Sequence, residues 1–166
     1  MTAKSKPAQA RRYWLFKSEP DSYSFAQLQR DRRTFWHGVR NYQARNLLRD
    51  EIQCGDGVLF YHSNHQPLAI VGIAKVVEAG YPDASAFEPA SDYYDPDSDP
   101  SAPTWFQVDI EVVGPLQPPV TREQCSQEPS LADMVLLRRG SRLSVQPVTA
   151  AEWQTILRLG GQRESW

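Results

Sequence analysis

Two cysteines among 166 residues are too few for a disulfide framework, and Cys54 and Cys125 share no metal-ligand spacing. That usage fits a reducing compartment, with the cytosol as the default. No apolar stretch approaches the roughly 20 residues a membrane helix needs. Residues 1–12 lack an apolar h-region, so this start does not read as a secretory signal. Excess positive charge is missing as well. A net charge of −2 and a pI near 5.9 argue against a protein that coats nucleic acid by bulk electrostatics. Signatures for Walker-type nucleotide binding, dinucleotide folds and serine hydrolases are absent, as is any internal repeat.

What remains is an ordinary globular composition, 40% hydrophobic and 23% charged, in a chain long enough for one domain with a real core. The charge is uneven. Residues 80–104 hold Asp83, Glu88, Asp92, Asp95, Asp97 and Asp99 with no Lys or Arg, so the rest of the chain is net basic. Arg30, Arg32, Arg33, Arg40, Arg45 and Arg49 form one basic group, and Arg138, Arg139 and Arg142 a second.

Residues 1–12 read as a disordered polar tail. Tyr13 to Lys17 is the first strand, and Ser24 with Gln27 marks a short helix burying Phe25 and Leu28. Ala44, Leu47 and Leu48 recur at helical spacing, which predicts a helix over 42–51. Val58 to Tyr61 follows a Gly-Asp-Gly turn, and Leu68 to Val77 is a nearly continuous apolar run. Five prolines break up residues 80–104, which predicts a long loop. Trp105 to Val113 alternates, with Phe106, Val108, Ile110 and Val112 on one face. Thr121 with Gln124 and Ser130 with Asp133 look like helix starts. Leu143 to Val148 reads as a strand, and Thr149 with Glu152 caps a last helix that buries Trp153, Ile156 and Leu157. Strands interrupted by short helices indicate an α+β domain around a curved, largely antiparallel sheet.

The segment Trp36-His-Gly-Val-Arg-Asn-Tyr-Gln-Ala-Arg-Asn46 carries most of the functional information. Arg40 and Arg45 offer forked donors for phosphate. Asn41 and Asn46 suit a base edge, and Trp36 and Tyr42 can stack on a ring. Gly38 permits close approach or positive φ. The same residues would also make a helix entry with a solvated, arginine-bearing face. Trp14, Trp36 and Trp105 together suggest an aromatic cage, and Tyr93-Tyr94 on the acidic loop suggest a lid. Lys17 and Glu19 share a strand face and suit proton transfer or a simple ion pair. His62 and His65 resemble metal ligands, but no third or fourth ligand is evident. A Cys54/His62 nucleophilic pair lacks an orienting member. Asp95-Pro-Asp97-Ser-Asp99 opens like a calcium loop, yet places Pro100 where Gly is required and Phe106 where Glu belongs.

Taken in order, Tyr13–Pro20 (YWLFKSEP), Trp36–Asn46 (WHGVRNYQARN), Phe60–Ser63 (FYHS), Trp105 with Val108-Asp109, and Arg142–Pro147 (RLSVQP) resemble the EVE-domain family of the PUA-like superfamily. The resemblance covers residues 13 to about 160, leaving 161–166 as a C-terminal tail. It implies a curved sheet or β-barrel with surrounding short helices. It also implies a module that reads a modified nucleobase in RNA or DNA and performs no chemistry. Such a protein needs no cofactor or metal, does not engage membranes, and is expected to be a cytoplasmic monomer, nuclear if eukaryotic. The motif positions nominate Trp14, Lys17, Ser18 and Glu19; Trp36, Gly38, Val39, Arg40, Asn41, Tyr42, Arg45 and Asn46; Tyr61, His62 and Ser63; Trp105; and Arg142, Ser144 and Gln146. Tyr94 joins them from the acidic loop. Two other classes compete. A small amidohydrolase-type enzyme would use Lys17 and Glu19, and a protein-interaction module would show an exposed apolar patch without a pocket.

Overall fold

Strand β1 (Tyr13–Ser18) puts Trp14 and Phe16 on one face and Leu15 on the other, as strand alternation requires. The computed structural model describes residues 10–163. After β1 come helix α1 (Phe25–Asp31), strand β2 (Arg33–Trp36), helix α2 (Tyr42–Asp50), strands β3 (Gly57–His62), β4 (Ala69–Pro82) and β5 (Phe106–Thr121), helix α3 (Arg122–Gln127), strand β6 (Val145–Val148) and helix α4 (Ala150–Leu159).

The six strands form one sheet in the order β2-β5-β4-β3-β1-β6. Among the described residues only β1 and β3 run parallel; their connection carries α1, β2 and α2. The expectation of a sheet or barrel resolves as an open sheet, because β2 and β6 do not pair. Yet β2 comes back against β1, the neighbour of β6: Trp36 of β2 packs on Phe16 of β1, with ring centroids 5.2 Å apart. The sheet therefore curls toward a barrel and stops short, leaving a seam.

Each face has its own core. Trp14, Phe16, Phe25, Trp36, Val58, Phe60 and Val108 fill one side with α1 and α2. Leu15, Leu59, Tyr61, Ile70, Leu116, Trp153 and Ile156 fill the other with α3 and α4. Gly72 admits the Phe25 ring, since a Cβ there would stand 2.2 Å from it. Each of these large side chains contributes about 1.5–3 kcal/mol on burial.

Helix starts behave as their residues dictate. Ser24, Asn41, Thr121 and Thr149 accept backbone N–H bonds as N-caps, and Thr121 and Thr149 complete capping boxes with Gln124 and Glu152. Ser130 does not begin an α-helix. Its Oγ donates to Glu128, and only a single tight turn, Pro129–Leu131, forms there. Residues 33–36 form a strand that the sequence pattern does not announce, because β5 supplies their ladder partners. Of the expected disordered tail, residues 1–12, positions 1–9 lie outside the described residues. Arg12, at its end, donates its backbone N–H to Asp56 at 3.1 Å and pairs with Glu51 at 3.3 Å. No helix of the described residues is long and apolar enough to cross a membrane.

Candidate functional site

The seam opens into a cleft of about 560 Å³, inside the roughly 300–1,000 Å³ range of small-ligand sites. The end of β1 supplies Lys17, Ser18 and Glu19, β2 supplies Thr34, Phe35 and Trp36, and the following segment supplies His37 to Asn41. Ser22 and Tyr23, Tyr93 of the acidic loop, and Ser144 ahead of β6 complete the lining. Trp36 is 9% exposed and held from behind by Phe16 and by an edge-on Phe60 at 5.5 Å. A second ring group is far more open. Phe35 is 53% exposed, its ring lies 4.8 Å from His37, and His37 meets Tyr93 at 5.2 Å.

The polar groups divide into committed and available. Ser18 Oγ donates to the Tyr23 carbonyl at 2.6 Å, and Asn41 Oδ1 accepts the Ala44 N–H at 3.0 Å. Among the described residues, nothing hydrogen-bonds the Asn41 NH2, the Glu19 carboxylate or the Lys17 ammonium. The Asn41 donor and the Glu19 acceptor therefore remain for a ligand, whereas the Lys17 ammonium lies 6.0 Å from the Tyr61 ring, on the α3/α4 side of the sheet.

One wall is fixed by a buried ion pair. Asp83 is fully buried and accepts from Gly38 N–H (2.8 Å), Arg40 Nη1 (3.0 Å), Ser85 N–H (2.9 Å) and Ser85 Oγ (2.5 Å). Arg40 also donates to the Tyr93 carbonyl at 2.6 Å, and Arg45 Nη1 to the Thr104 carbonyl at 2.7 Å. Asp95 accepts from Trp105 Nε1 at 2.7 Å. The loop is thus clamped at both ends to the α2 entry. Gly38 has φ +80°, and a Cβ there would stand 2.7 Å from the Tyr93 ring, so this close approach needs glycine.

A model of the EVE domain matches residues 12–159. The chain belongs to the EVE-domain family. It is 40% identical to thymocyte nuclear protein 1 of Mus musculus over 166 residues, 89% of this chain and 73% of that one. Among solved structures it resembles a Pseudomonas syringae protein with a TM-score of 0.85 and 44% identity, covering 89% of this chain and 98% of that chain. It also resembles the human THYN1 protein in complex with DNA containing 5-methylcytosine, with a TM-score of 0.84 and 35% identity, covering 92% of this chain and 99% of that chain.

This EVE domain gathers only part of the sequence-nominated set. Lys17, Ser18, Glu19, Trp36, Gly38, Val39, Arg40, Asn41 and Ser144 line the cleft. The three tryptophans do not form one cage. Trp14 is fully buried and donates Nε1 to Asp56 at 2.9 Å, and Trp105 lies beneath Tyr42 and the Arg40 guanidinium. Tyr42 is exposed on Trp105, Asn46 accepts from Arg45 Nε, and Tyr61 belongs to the core on the α3/α4 side. Ser63 donates its backbone N–H to Ser18, and Gln146 is buried with Nε2 donating to the Leu143 carbonyl. Tyr93, not Tyr94, reaches the cleft, and Arg142 is exposed two residues before Ser144. Phe35, His37, Ser22, Tyr23 and Thr34 were not nominated. The sequence signal is membership of the Trp36–Asn46 motif for His37 and adjacency to motif residues for the others.

The enzyme-like pairings are not assembled. Cys54 and His62 flank opposite ends of β3, which at about 3.3 Å per residue keeps them far apart. His62 Nε2 instead accepts the Phe25 N–H at 3.1 Å. Burial, then nearby His65, lowers the His62 pKa and keeps that acceptor unprotonated. No three His, Cys, Asp or Glu side chains gather as a metal site among the described residues. Lys17 is half-buried, and burial, then Arg122, lowers its pKa.

Proposed function

We propose that this EVE domain reads a modified nucleobase, taking an extruded base of DNA or RNA into the seam cleft and leaving it chemically unchanged. The observation that carries this is the cleft itself, where exposed flat rings share the lining with Glu19 and Asn41, whose carboxylate and NH2 have no hydrogen-bond partner among the described residues. Flat rings favour a flat ligand, and a lone donor and acceptor check its edge. The similarity to a human relative crystallised with DNA containing 5-methylcytosine supports the same reading. A catalytic role lacks support, since neither Lys17 nor Glu19 meets a partner that would poise it for proton transfer.

The test is a titration of matched oligonucleotides carrying cytosine, 5-methylcytosine or 5-hydroxymethylcytosine, in DNA and RNA, followed by nucleoside recovery. A methyl group in a fitted notch is worth roughly 1–3 kcal/mol, a preference of about 10- to 200-fold. Equal affinity for every base, or conversion of the modified base, overturns the proposal.

A further inference from the structure

The arginines that suggest phosphate binding in the sequence are occupied. Arg40 holds Asp83 and Tyr93, and Arg45 holds Thr104. The wall they secure is acidic, and of its six carboxylates only Asp83 is ion-paired among the described residues. A phosphodiester chain approaching from that side meets repulsion.

The opposite wall has the reverse character. The Lys17 N–H donates to the Ser144 carbonyl at 2.8 Å, joining β1 to the segment that precedes β6. No acidic residue occurs between Asp133 and Glu152, whereas Arg138, Arg139 and Arg142 are all exposed there. Their guanidinium groups have no hydrogen-bond or ion-pair partner among the described residues. Lys17 pairs in register with Tyr61, Tyr61 with Ile70, and Ala69 with Thr121, so Lys17 and Arg122 stand at the same end of the sheet, and neither has an ion-pair partner among the described residues. Two uncompensated cations held together on a fixed scaffold call for an anion. Arg158 of α4, a helix whose carboxyl end bonds Gln117 of β5 through Gly160, is exposed and lies outside the 133–152 stretch, so it serves as a basic control.

Resting on the reading above, we infer that the phosphates flanking the extruded base run along Lys17, Arg122, Arg139 and Arg142, on the β6 side of the cleft and away from Arg40 and Arg45. The strand then enters over the basic wall, and the acidic wall faces the base alone. This track fixes the approach direction and leaves base choice to the cleft.

The experiment measures binding of a 5-methylcytosine oligonucleotide across a salt series, as DNA and as RNA. The proteins are wild type, Arg139→Gln/Arg142→Gln and Arg158→Gln. Both track positions are exposed, so the double variant retains its fold, which a thermal melt checks. Each phosphate contact contributes a slope of about 0.7–0.9 in log K against log salt, which is about 5- to 8-fold in affinity at 0.1 M. The double variant should lose about 1.4–1.8 units of slope and keep the methylated-to-unmethylated preference of wild type, while Arg158→Gln behaves as wild type. A wild type that binds selectively, with a double variant of undiminished slope, overturns the track and leaves the reader intact. A wild type without preference overturns the reading itself, and the track with it.

Discussion

Replacing Asp83 disturbs the cleft while leaving every lining residue in place. Asp83→Ala strands the Gly38 and Ser85 amides that its buried carboxylate accepts from, at about 1–3 kcal/mol each. Arg40 is 23% exposed and can turn toward water. The expected loss is therefore about 3–5 kcal/mol, set by the two stranded amides. Asp83→Asn retains an accepting oxygen and should lose about 1–3 kcal/mol. In a domain of this size each kcal/mol moves Tm by roughly 2–4 °C, so Asp83→Ala should melt roughly 6–20 °C lower. The second signature is pH. Burial alone would push the Asp83 carboxyl up, but bonds from Ser85, Gly38 and Arg40 outweigh it and hold the pKa below its usual value. A depressed folded pKa stabilises fully above the unfolded value of about 3.9 and is lost as pH falls through the lower folded value. The Tm gap between wild type and Asp83→Asn should thus hold steady from about pH 7 to 5 and close below about 4. Calorimetry across that range checks both. A gap under about 2 °C for Asp83→Ala at pH 7, or one that closes above pH 5, refutes the clamp.

Three further outcomes are expected. Tyr93→Ala should weaken binding of the modified oligonucleotide about 5- to 150-fold, from a stacking contribution of roughly 1–3 kcal/mol, while Tyr94→Ala leaves it unchanged; fluorescence anisotropy decides between them. Arg45→Ala should lower Tm without altering the salt slope of binding, because its fork holds the Thr104 carbonyl; a reduced slope would return Arg45 to the phosphates. Wild type should lose stability as pH falls from about 6.5 through the lower folded pKa of His62, since protonation ends its acceptance of the Phe25 N–H; His62→Gln should flatten that part of the Tm profile.

Local chemistry was legible in the sequence. Ser24, Thr121 and Thr149 announced their helices, Ala44 and Leu48 set the buried face of α2, and Phe106 to Val112 alternated visibly. The motifs also named the segments that meet at the cleft. Partnerships across long separations were not legible. Arg40 finds Asp83 43 residues away and Trp14 finds Asp56 42 away, so a phosphate fork became a clamp and a stacking ring became core. The four-residue β2 had too short a pattern to show, and its identity rests on pairing with β5. Tyr93 and Tyr94 could not be told apart either, because only the folded path of the loop brings one ring against Gly38.

The open seam separates two properties that a closed barrel ties together. In a closed barrel, strand number and stagger set the diameter, so the size of an internal site is inherited from the hydrogen-bond register. Here β2 meets β1 and the segment before β6 through side chains, and no ladder joins β2 to β6. The width of the opening is therefore tuned by substitution, through the bulk of Phe35, Trp36 and Tyr93 and the length of the clamped loop. A change of preferred base then requires new side chains at the gap and no shift in any strand, so one backbone can carry a series of specificities.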